Sequence, residues 1–497
     1  MASINLNSEI VFSSSDSMLS HQISRYIKDG KLRKIAPRIY TTNMVDSDEN
    51  IVRRNVISIL EWRFPGFVIS HRSAKEMKTT QNGEIFITGT YNRRFDSIPG
   101  IVVNVMAGPQ PDKKDLPFGR IFVSGEYRWM LENMQSARKT GESSKVLPVA
   151  EIEKRLEGVM LAGGESAMND YRDSLRETAE RLGMQAEFEK LNKLISALLS
   201  THSSDILTTP SAKAMSAGIP YDTDRVKLFE ILFQALKNRT FYVFKNLVKT
   251  EEEFRMFAFF ESYFSNYIEG TEFDVNEARQ IVETGMPILR RDDDSHDILG
   301  TFKIVSNRSE MSKTPSSFSE FIEILCNRHA ILMQGRPYNN PGVFKDKNNR
   351  AGNTYFVDYK LVKGTLSAGF QYYSALESAF AKALFMMFMI SEIHPFTDGN
   401  GRMSRVMMNA ELVKTGEPRI IVPTVYREDY LLALRALSRQ AKVEPFLKVM
   451  LRLHQFSVNL YGTDFSEIDN YLKLCNAYEE PTSAKLKIID RVFSDMA

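Results

Sequence analysis

Apolar residues recur at three- and four-residue spacing through most of the second half of the chain, and at two-residue spacing only in short runs near its start. The densest stretch covers residues 379–393. There Phe380, Leu384, Met387 and Phe388 continue a helical spacing from Leu376, and further apolar residues fill the remaining faces. A helix that is apolar all round is buried. Pro395 predicts its end, because the residue before a proline avoids the helical region. A second helical pattern runs from Arg402 to Lys414 and stops at Gly416, with Pro418 beyond. Between the two lies a short loop, Asp398-Gly399-Asn400-Gly401.

The same reading organises the rest. Residues 17–28 predict a helix ending at Gly30, 32–40 a short strand pair, and 49–62 a second helix. Strand-like runs follow at 66–69, 84–90 and 101–106, then a Gly-Pro-rich loop at 108–112. From residue 124 to 199 the pattern is helical, with a long stretch over 169–199. The Ser/Thr-rich segment 201–210 is the preferred boundary. The chain beyond it is helix-rich apart from a polar stretch at 336–353, and Asp292-Asp293-Asp294 reads as a solvated loop. The expected organisation is 1–120, a helical extension 121–205, a helical region 211–315, a core 316–463 and a helical tail 464–497.

Composition narrows little. The 497 residues are 43% apolar and 25% charged, ordinary for a globular protein of two or three domains. Lys plus Arg number 64 against 62 acidic residues, so only local patches can speak about partners. Two cysteines, Cys326 and Cys475, are too few for a disulfide framework. The start lacks the pattern of a signal peptide, and 379–393 is short for a membrane span. A soluble, cytoplasmic protein with no membrane contact is expected.

The chemistry is concentrated in His394-Pro395-Phe396-Thr397-Asp398-Gly399-Asn400-Gly401-Arg402-Met403-Ser404-Arg405. A loop opening a helix is an anion site, since unpaired N–H groups and the positive dipole end face outward. Gly399 and Gly401 let backbone approach phosphate oxygens and adopt positive φ. Arg402 can fork onto phosphates, Arg405 one turn later can reach another, and Asp398 can hold Mg²⁺. His394 suits removal of a proton from a hydroxyl. The chain has no Walker-type loop, Rossmann fingerprint or His-Glu-x-x-His.

This run resembles the core motif of Fic-domain proteins, His-Pro-Phe-x-Asp/Glu-Gly-Asn-Gly-Arg-x-x-Arg, at every fixed position, and the wider resemblance covers 317–423. It implies that His394 is the general base, that Asp398 holds Mg²⁺, that Gly399, Asn400, Gly401 and Arg402 bind nucleotide phosphates, and that Arg405 takes the γ-phosphate of ATP. It implies transfer of AMP from ATP to a Ser, Thr or Tyr hydroxyl of a target protein. A phosphorylating branch carries Lys where this chain has Gly401. Segments 342–345 and 350–357 look like the family's flap, a hairpin that docks the target by strand addition, with Asn353, Thr354, Tyr355 and Phe356 as candidates. Tyr430 resembles a position lining the adenine pocket.

Thr250 to Glu253 reads as a capping box and Gly270 as the stop of the helix it opens. Near the end of that helix, Ser265-Asn266-Tyr267-Ile268-Glu269-Gly270 resembles the family's inhibitory pattern Ser/Thr-x-x-x-Glu-Gly/Asn. The resemblance implies that Glu269 pairs with Arg405 and blocks the γ-phosphate, and that it can also support removal of AMP. At the other end, six basic residues lie between 21 and 40 (Arg25, Lys28, Lys31, Arg33, Lys34, Arg38). Residues 17–40 have the outline of a helix and wing, and the region through 70–74 resembles the winged-helix domain of abortive-infection antitoxins, which implies DNA binding or protein docking.

The expected fold is therefore mainly α. An all-helical Fic domain with a β-hairpin flap follows a mixed α/β winged-helix-like region. The expected activity is Mg²⁺-dependent protein adenylylation, including of the chain itself, held low by Glu269. The alternative is a DNA-binding regulator or antitoxin that uses the Fic domain as a nucleotide sensor. Candidate partners are ATP, a target protein bearing an acceptor hydroxyl, DNA and a second copy of the chain.

Overall fold

The change from alternating to helical patterning along the chain becomes two packing units in the computed structural model, residues 1–217 and 218–497. The structure describes residues 4–13, 16–352 and 354–491. The division falls beyond the Ser/Thr-rich stretch because Leu207 and Ala212 are buried in the core of the first unit.

In the first unit, β1 (Ile10–Phe12), β2 (Arg33–Ala36) and β3 (Ile39–Thr41) form an antiparallel sheet in the order β1-β3-β2. Between β1 and β2 runs α1 (Ser17–Lys28), capped by the Asp16 side chain accepting from the Met18 N–H. The expected 49–62 helix is two, α2 (Asp48–Arg54) and α3 (Val56–Arg63), broken at Asn55 where φ is −107° and ψ 16°.

A mixed sheet of six strands among the described residues follows: β4 (Val68–Ile69), β5 (Glu84–Gly89), β6 (Arg93–Ile98), β7 (Ile101–Ala107), β8 (Leu116–Phe118) and β9 (Ile121–Val123), in the order β6-β7-β5-β4-β9-β8. Helix α4 (His71–Glu76) follows β4. Sequence patterning misses the three-residue strands β1 and β9, and it misses β6 and β8 for a physical reason. The latter two are edge strands, one largely polar and exposed, the other holding a proline that an edge tolerates. Four helices complete the unit: α5 (Glu126–Glu132), α6 (Val149–Leu182), α7 (Gln185–Leu198) and α8 (Pro210–Ser216). The expected 169–199 helix is thus divided at Gly183, which adopts a left-handed cap, and α6 is itself kinked at Gly164.

The second unit is helical apart from one small hairpin among its described residues. Its elements are α9 (Thr223–Lys237), α10 (Glu251–Ile268), α11 (Val275–Thr284), α12 (Asp292–Val305), α13 (Arg308–Met311), α14 (Phe318–Leu332), the hairpin β10 (Arg350–Ala351) and β11 (Thr354–Tyr355), α15 (Val362–Ser374), α16 (Ala379–Ile393), α17 (Asn400–Thr415), α18 (Arg427–Gln440), α19 (Val443–Ser457) and α20 (Phe465–Leu474). Helix α16 is buried on all faces, as its sequence requires, and α17 packs along it. Each large apolar side chain buried this way contributes about 1.5–3 kcal/mol, which makes the pair a rigid base for the loop between them. Asp292 to Asp294 are not a loop but the first turn of α12, where carboxylates oppose the positive dipole end. Cys475 is fully buried, Cys326 partly so, and both are free thiols. Among the described residues no helix is long and apolar enough to cross a membrane.

Candidate active site

Helix α16 ends because His394 leaves the helical region. It caps the helix in a left-handed conformation, φ 53°, with its N–H donating to the Ile390 carbonyl. That conformation costs a non-glycine residue about 1–2 kcal/mol. Its side chain is held in place. Nδ1 lies 2.8 Å from the Ser391 carbonyl, and the ring stacks on Phe356 with centroids 3.5 Å apart and planes 7° from parallel. A carbonyl only accepts, so Nδ1 carries the proton and Nε2 keeps its lone pair. No described residue hydrogen-bonds Nε2. Burial pushes the imidazole pKa down to about 4, against the opposing Ser391 hydrogen bond and the Glu269 charge. The ring is therefore neutral at physiological pH.

Beyond His394 the loop is built by its own side chains. Asn400 is buried and grips the backbone of Phe396 twice, accepting from its N–H (2.9 Å) and donating to its carbonyl (2.9 Å). Its amide is thereby committed to shaping the loop. Gly399 takes φ 75°, and a Cβ there would meet the Met333 sulfur at 2.7 Å. Gly401 lies inside α17 with no positive φ, contrary to the sequence expectation. Its role is the absence of a side chain, since a Cβ would sit 2.1 Å from a Glu269 carboxylate oxygen. Asp398 accepts from the Gly399 N–H (2.7 Å) and from the Asn339 amide (3.2 Å).

The two arginines have different surroundings. Arg405 donates to Glu269 (2.8 Å), to the Ser265 carbonyl (2.8 Å) and, through Nε, to the Ser265 hydroxyl (3.0 Å). Glu269 caps α10, whose start is the capping box expected from Thr250 and Glu253. Burial works against its charge, but the Arg405 guanidinium outweighs it and holds the carboxyl below its ordinary range. A third of the Glu269 side chain stays exposed, so solvent screens this pair. Arg402 is pinned deeper, 2.7 Å from Asp297 on α12, with both side chains almost wholly buried. Asp297 also takes a bidentate contact from Arg336, at 2.7 and 3.0 Å.

His394, Glu269, Gly401, Arg405 and Tyr430 line one cavity of about 530 Å³. Tyr430 is fully buried, its hydroxyl 3.5 Å from the Met387 sulfur. The cavity's remaining wall includes the flap hairpin, through Thr354 and Phe356. The Thr354 hydroxyl accepts from Arg439 (2.6 Å), and the Tyr355 carbonyl accepts from Arg225 (2.7 Å). The Tyr355 side chain is exposed. Asn353 lies outside the described residues. The lining does not include Arg402, Asp398 or Asn400.

Sequence reasoning missed Asp297, Arg225 and Glu392, which pairs with Arg225 and accepts from Ser438 at 2.9 Å. One signal was present for Asp297: it falls on the buried stripe of α12 with Ile298, Thr301 and Ile304, where an unpaired carboxylate would be costly. It included Lys345 only as the end of the expected flap segment 342–345. This residue is buried beside the loop, its N–H on the Pro395 carbonyl (2.9 Å), and burial pushes its ammonium pKa down to about 8. Among the described residues no three His, Cys, Asp or Glu side chains gather at one point. A magnesium ion keeps several waters and takes one or two carboxylates alongside substrate phosphates. The Asp398 side chain, 43% exposed, offers oxygens of that kind and fits such an ion.

Residues 319–412 match the Fic/DOC family. Among curated proteins the chain is similar to "Protein adenylyltransferase Fic" of Drosophila willistoni, 28% identical over 206 residues that make up 40% of each chain. It is also similar to the protein of that name from Nematostella vectensis, 27% identical over 218 residues, 40% of this chain and 47% of that one. The chain thus spans less than half the length of these relatives. Among solved structures, Fic-1 from C. elegans aligns over 66% of this chain and 97% of that one, at 15% identity and a TM-score of 0.35.

Proposed function

We propose that this chain, which carries a Fic/DOC domain over residues 319–412, is a protein adenylyltransferase that moves AMP from ATP to a Ser, Thr or Tyr hydroxyl of a target protein, or of itself. One observation carries the reading: a neutral imidazole with an unengaged Nε2 shares a cavity with Arg405 at the start of a long helix. His394 Nε2 takes the proton of the acceptor hydroxyl as its oxygen attacks the α-phosphorus. The bond to the β-phosphate oxygen breaks, and pyrophosphate leaves. The N–H groups at the start of α17 and the side chain of Arg405 hold the polyphosphate. Asp398 would hold Mg²⁺, which supplies neutralisation of phosphate charge when bound. A polyanion in the cavity raises the proton affinity of His394 toward the operating pH, which improves it as a base.

Glu269 occupies Arg405 and so would compete with the γ-phosphate; the same carboxylate would orient a water for removal of AMP. Arg402 acts from behind. Held by Asp297, it stiffens the first turn of α17. The names of the curated relatives support AMP as the transferred group, as does Gly401. The setting proposed is the cytoplasm, consistent with two free thiols. Intact-mass measurement of Glu269→Gly with ATP and magnesium tests the reading. A covalent increment of one AMP, absent when His394→Ala is added, is the expected result; no increment on the chain or on any protein of a cell extract would reject it.

A DNA-bound role for the first unit is supported by a separate observation. Arg25, Lys28, Lys31, Lys34 and Arg38 are exposed on α1, the turn after it and the β2–β3 hairpin. Arg33 is not part of that surface, since its guanidinium is taken by Asp48 and the Asp46 carbonyl.

A further inference from the structure

The contact in the second unit that the chemistry above leaves unused is the ring of Phe356 on His394. Phe356 directly follows β11, and the next residue, Val357, is fully buried. The strand leaving the flap is therefore anchored in the core on one side and on the imidazole on the other. The preceding carbonyl, that of Tyr355, accepts from Arg225, which is itself paired with Glu392, two residues before His394. One helix end thus grips the flap exit at two points, through Glu392 and through His394. A near-parallel ring at 3.5 Å leaves no room for water on that face of the imidazole.

We propose that Phe356 is a positioning residue for His394: its ring excludes water from one imidazole face and fixes the ring plane, so that the base is ready only while the flap is docked. The catalytic consequence rests on the general-base role assigned to His394; the contact itself does not. Two effects of the ring oppose one another. A charged imidazole would be attracted weakly to the aromatic face. Loss of hydration disfavours that charge more, since burial moves such groups by up to about 3–5 pKa units. The charged groups around His394 are Glu269 from the end of α10, Lys345 and Asp398 from the loops, Glu392 on α16, Arg405 on α17, and Arg435 and Arg439 on α18. All of them remain when only the ring is removed, so a change on its removal reports the ring.

The test is an NMR titration of histidine-labelled full-length protein, with His394→Ala identifying the resonance. Phe356→Ala should raise the His394 midpoint by about one unit or more, toward the free imidazole, while Phe356→Tyr should keep it within a few tenths. In a Glu269→Gly background, Phe356→Ala should also lower kcat for AMP transfer by about tenfold with KM for ATP within about twofold, and Phe356→Tyr should restore it. Should Phe356→Ala misfold, Phe356→Val, whose short stub cannot cover the ring, is read in the same way. An unchanged midpoint overturns the proposal. If no variant transfers AMP, the adenylyltransferase reading fails while the titration still decides the role of Phe356.

Discussion

Each unit holds a histidine in the left-handed region at a helix end, His71 with φ 56° in the first and His394 with φ 53° in the second. Both are neutral, pushed below the ordinary imidazole range chiefly by burial. What separates them is their partners. His71 spends both ring nitrogens, one on the Ser70 hydroxyl and one on the Gln135 amide oxygen, each at 3.0 Å. Its N–H donates to Glu132, which also accepts from Ser124 and Arg128, and Arg128 closes the network on Asp115 at 2.6 Å. His394 spends only Nδ1 and lines a cavity. Backbone strain is alike at the two positions, and so cannot mark a catalytic site; an unspent nitrogen on a partly exposed ring that lines a cavity can.

The largest test of this contrast is the pair His394→Ala and His71→Ala. The first should reduce AMP transfer by about 10²–10⁴-fold with the melting temperature nearly unchanged. The second should leave transfer intact and destabilise its unit by about 1–3 kcal/mol, because the Ser70 hydroxyl and the Gln135 amide lose their imidazole partner. Thermal melting and a transfer assay on both variants check this, and reversed outcomes would erase the distinction.

Asp297→Ala and Asp115→Ala extend it to buried carboxylates. Asp297→Ala removes the close carboxylate partner of an almost fully buried guanidinium and should cost about 3–5 kcal/mol in denaturant unfolding, whereas Asp115→Ala leaves Arg128 paired with Glu132 and should cost less. Only Asp297→Ala should also weaken ATP binding measured by calorimetry, because Arg402 stiffens the nucleotide-facing turn.

Glu269→Gly should raise kcat by about 5–150-fold, the range of a typical coupling energy, with a smaller change in the Kd for ATP. Arg405→Ala should be inactive alone and in combination. Steady-state rates of the two-by-two set decide it, and a Glu269→Gly variant no faster than wild type would make the Glu269–Arg405 contact purely structural.

A smaller effect concerns pH. A base must be neutral to act, so the rate falls as pH falls through its pKa. With His394 pushed to about 4, the acidic limb of kcat/KM should lie below the 6.5 of a free imidazole. A limb at or above 6.5 would mean that His394 is as hydrated as a surface histidine.

The smallest expected effect belongs to the first unit. Reversing Lys28, Lys31 and Lys34 should weaken low-salt binding of duplex DNA and flatten its salt dependence by about one unit of slope per lost phosphate contact. Equal mobility shifts for both proteins would leave the patch as a solvated face.

Much of the site was legible because it is local. The motif supplies its own geometry: Pro395 ends α16, Gly399 is one of the few residues at ease at φ 75°, and Asn400 closes the loop on Phe396 four residues away. The capping box and helix that carry Glu269 were legible for the same reason. Period-2 patterning found β4, β5 and β7, failed at the exposed edge strands β6 and β8, and passed over β1 and β9, whose three residues are too few to show an alternation.

Local sequence alone dictates the two helices of the motif, the turn between them (with Asn400 and Gly401 taken into α17), the residue types that chemistry requires and the helix bearing the carboxylate. Helical periodicity, capping and proline sterics act over a few residues, so they are written in order along the chain. The Glu269–Arg405 contact was implied by the family resemblance, whereas tertiary structure alone decided that Arg402 is locked by Asp297, a pairing that spans α12 and α17. It alone set the ring of Phe356 on His394. A buried charge or an aromatic face takes whichever partner packing brings within about 4 Å, and no local spacing encodes that choice.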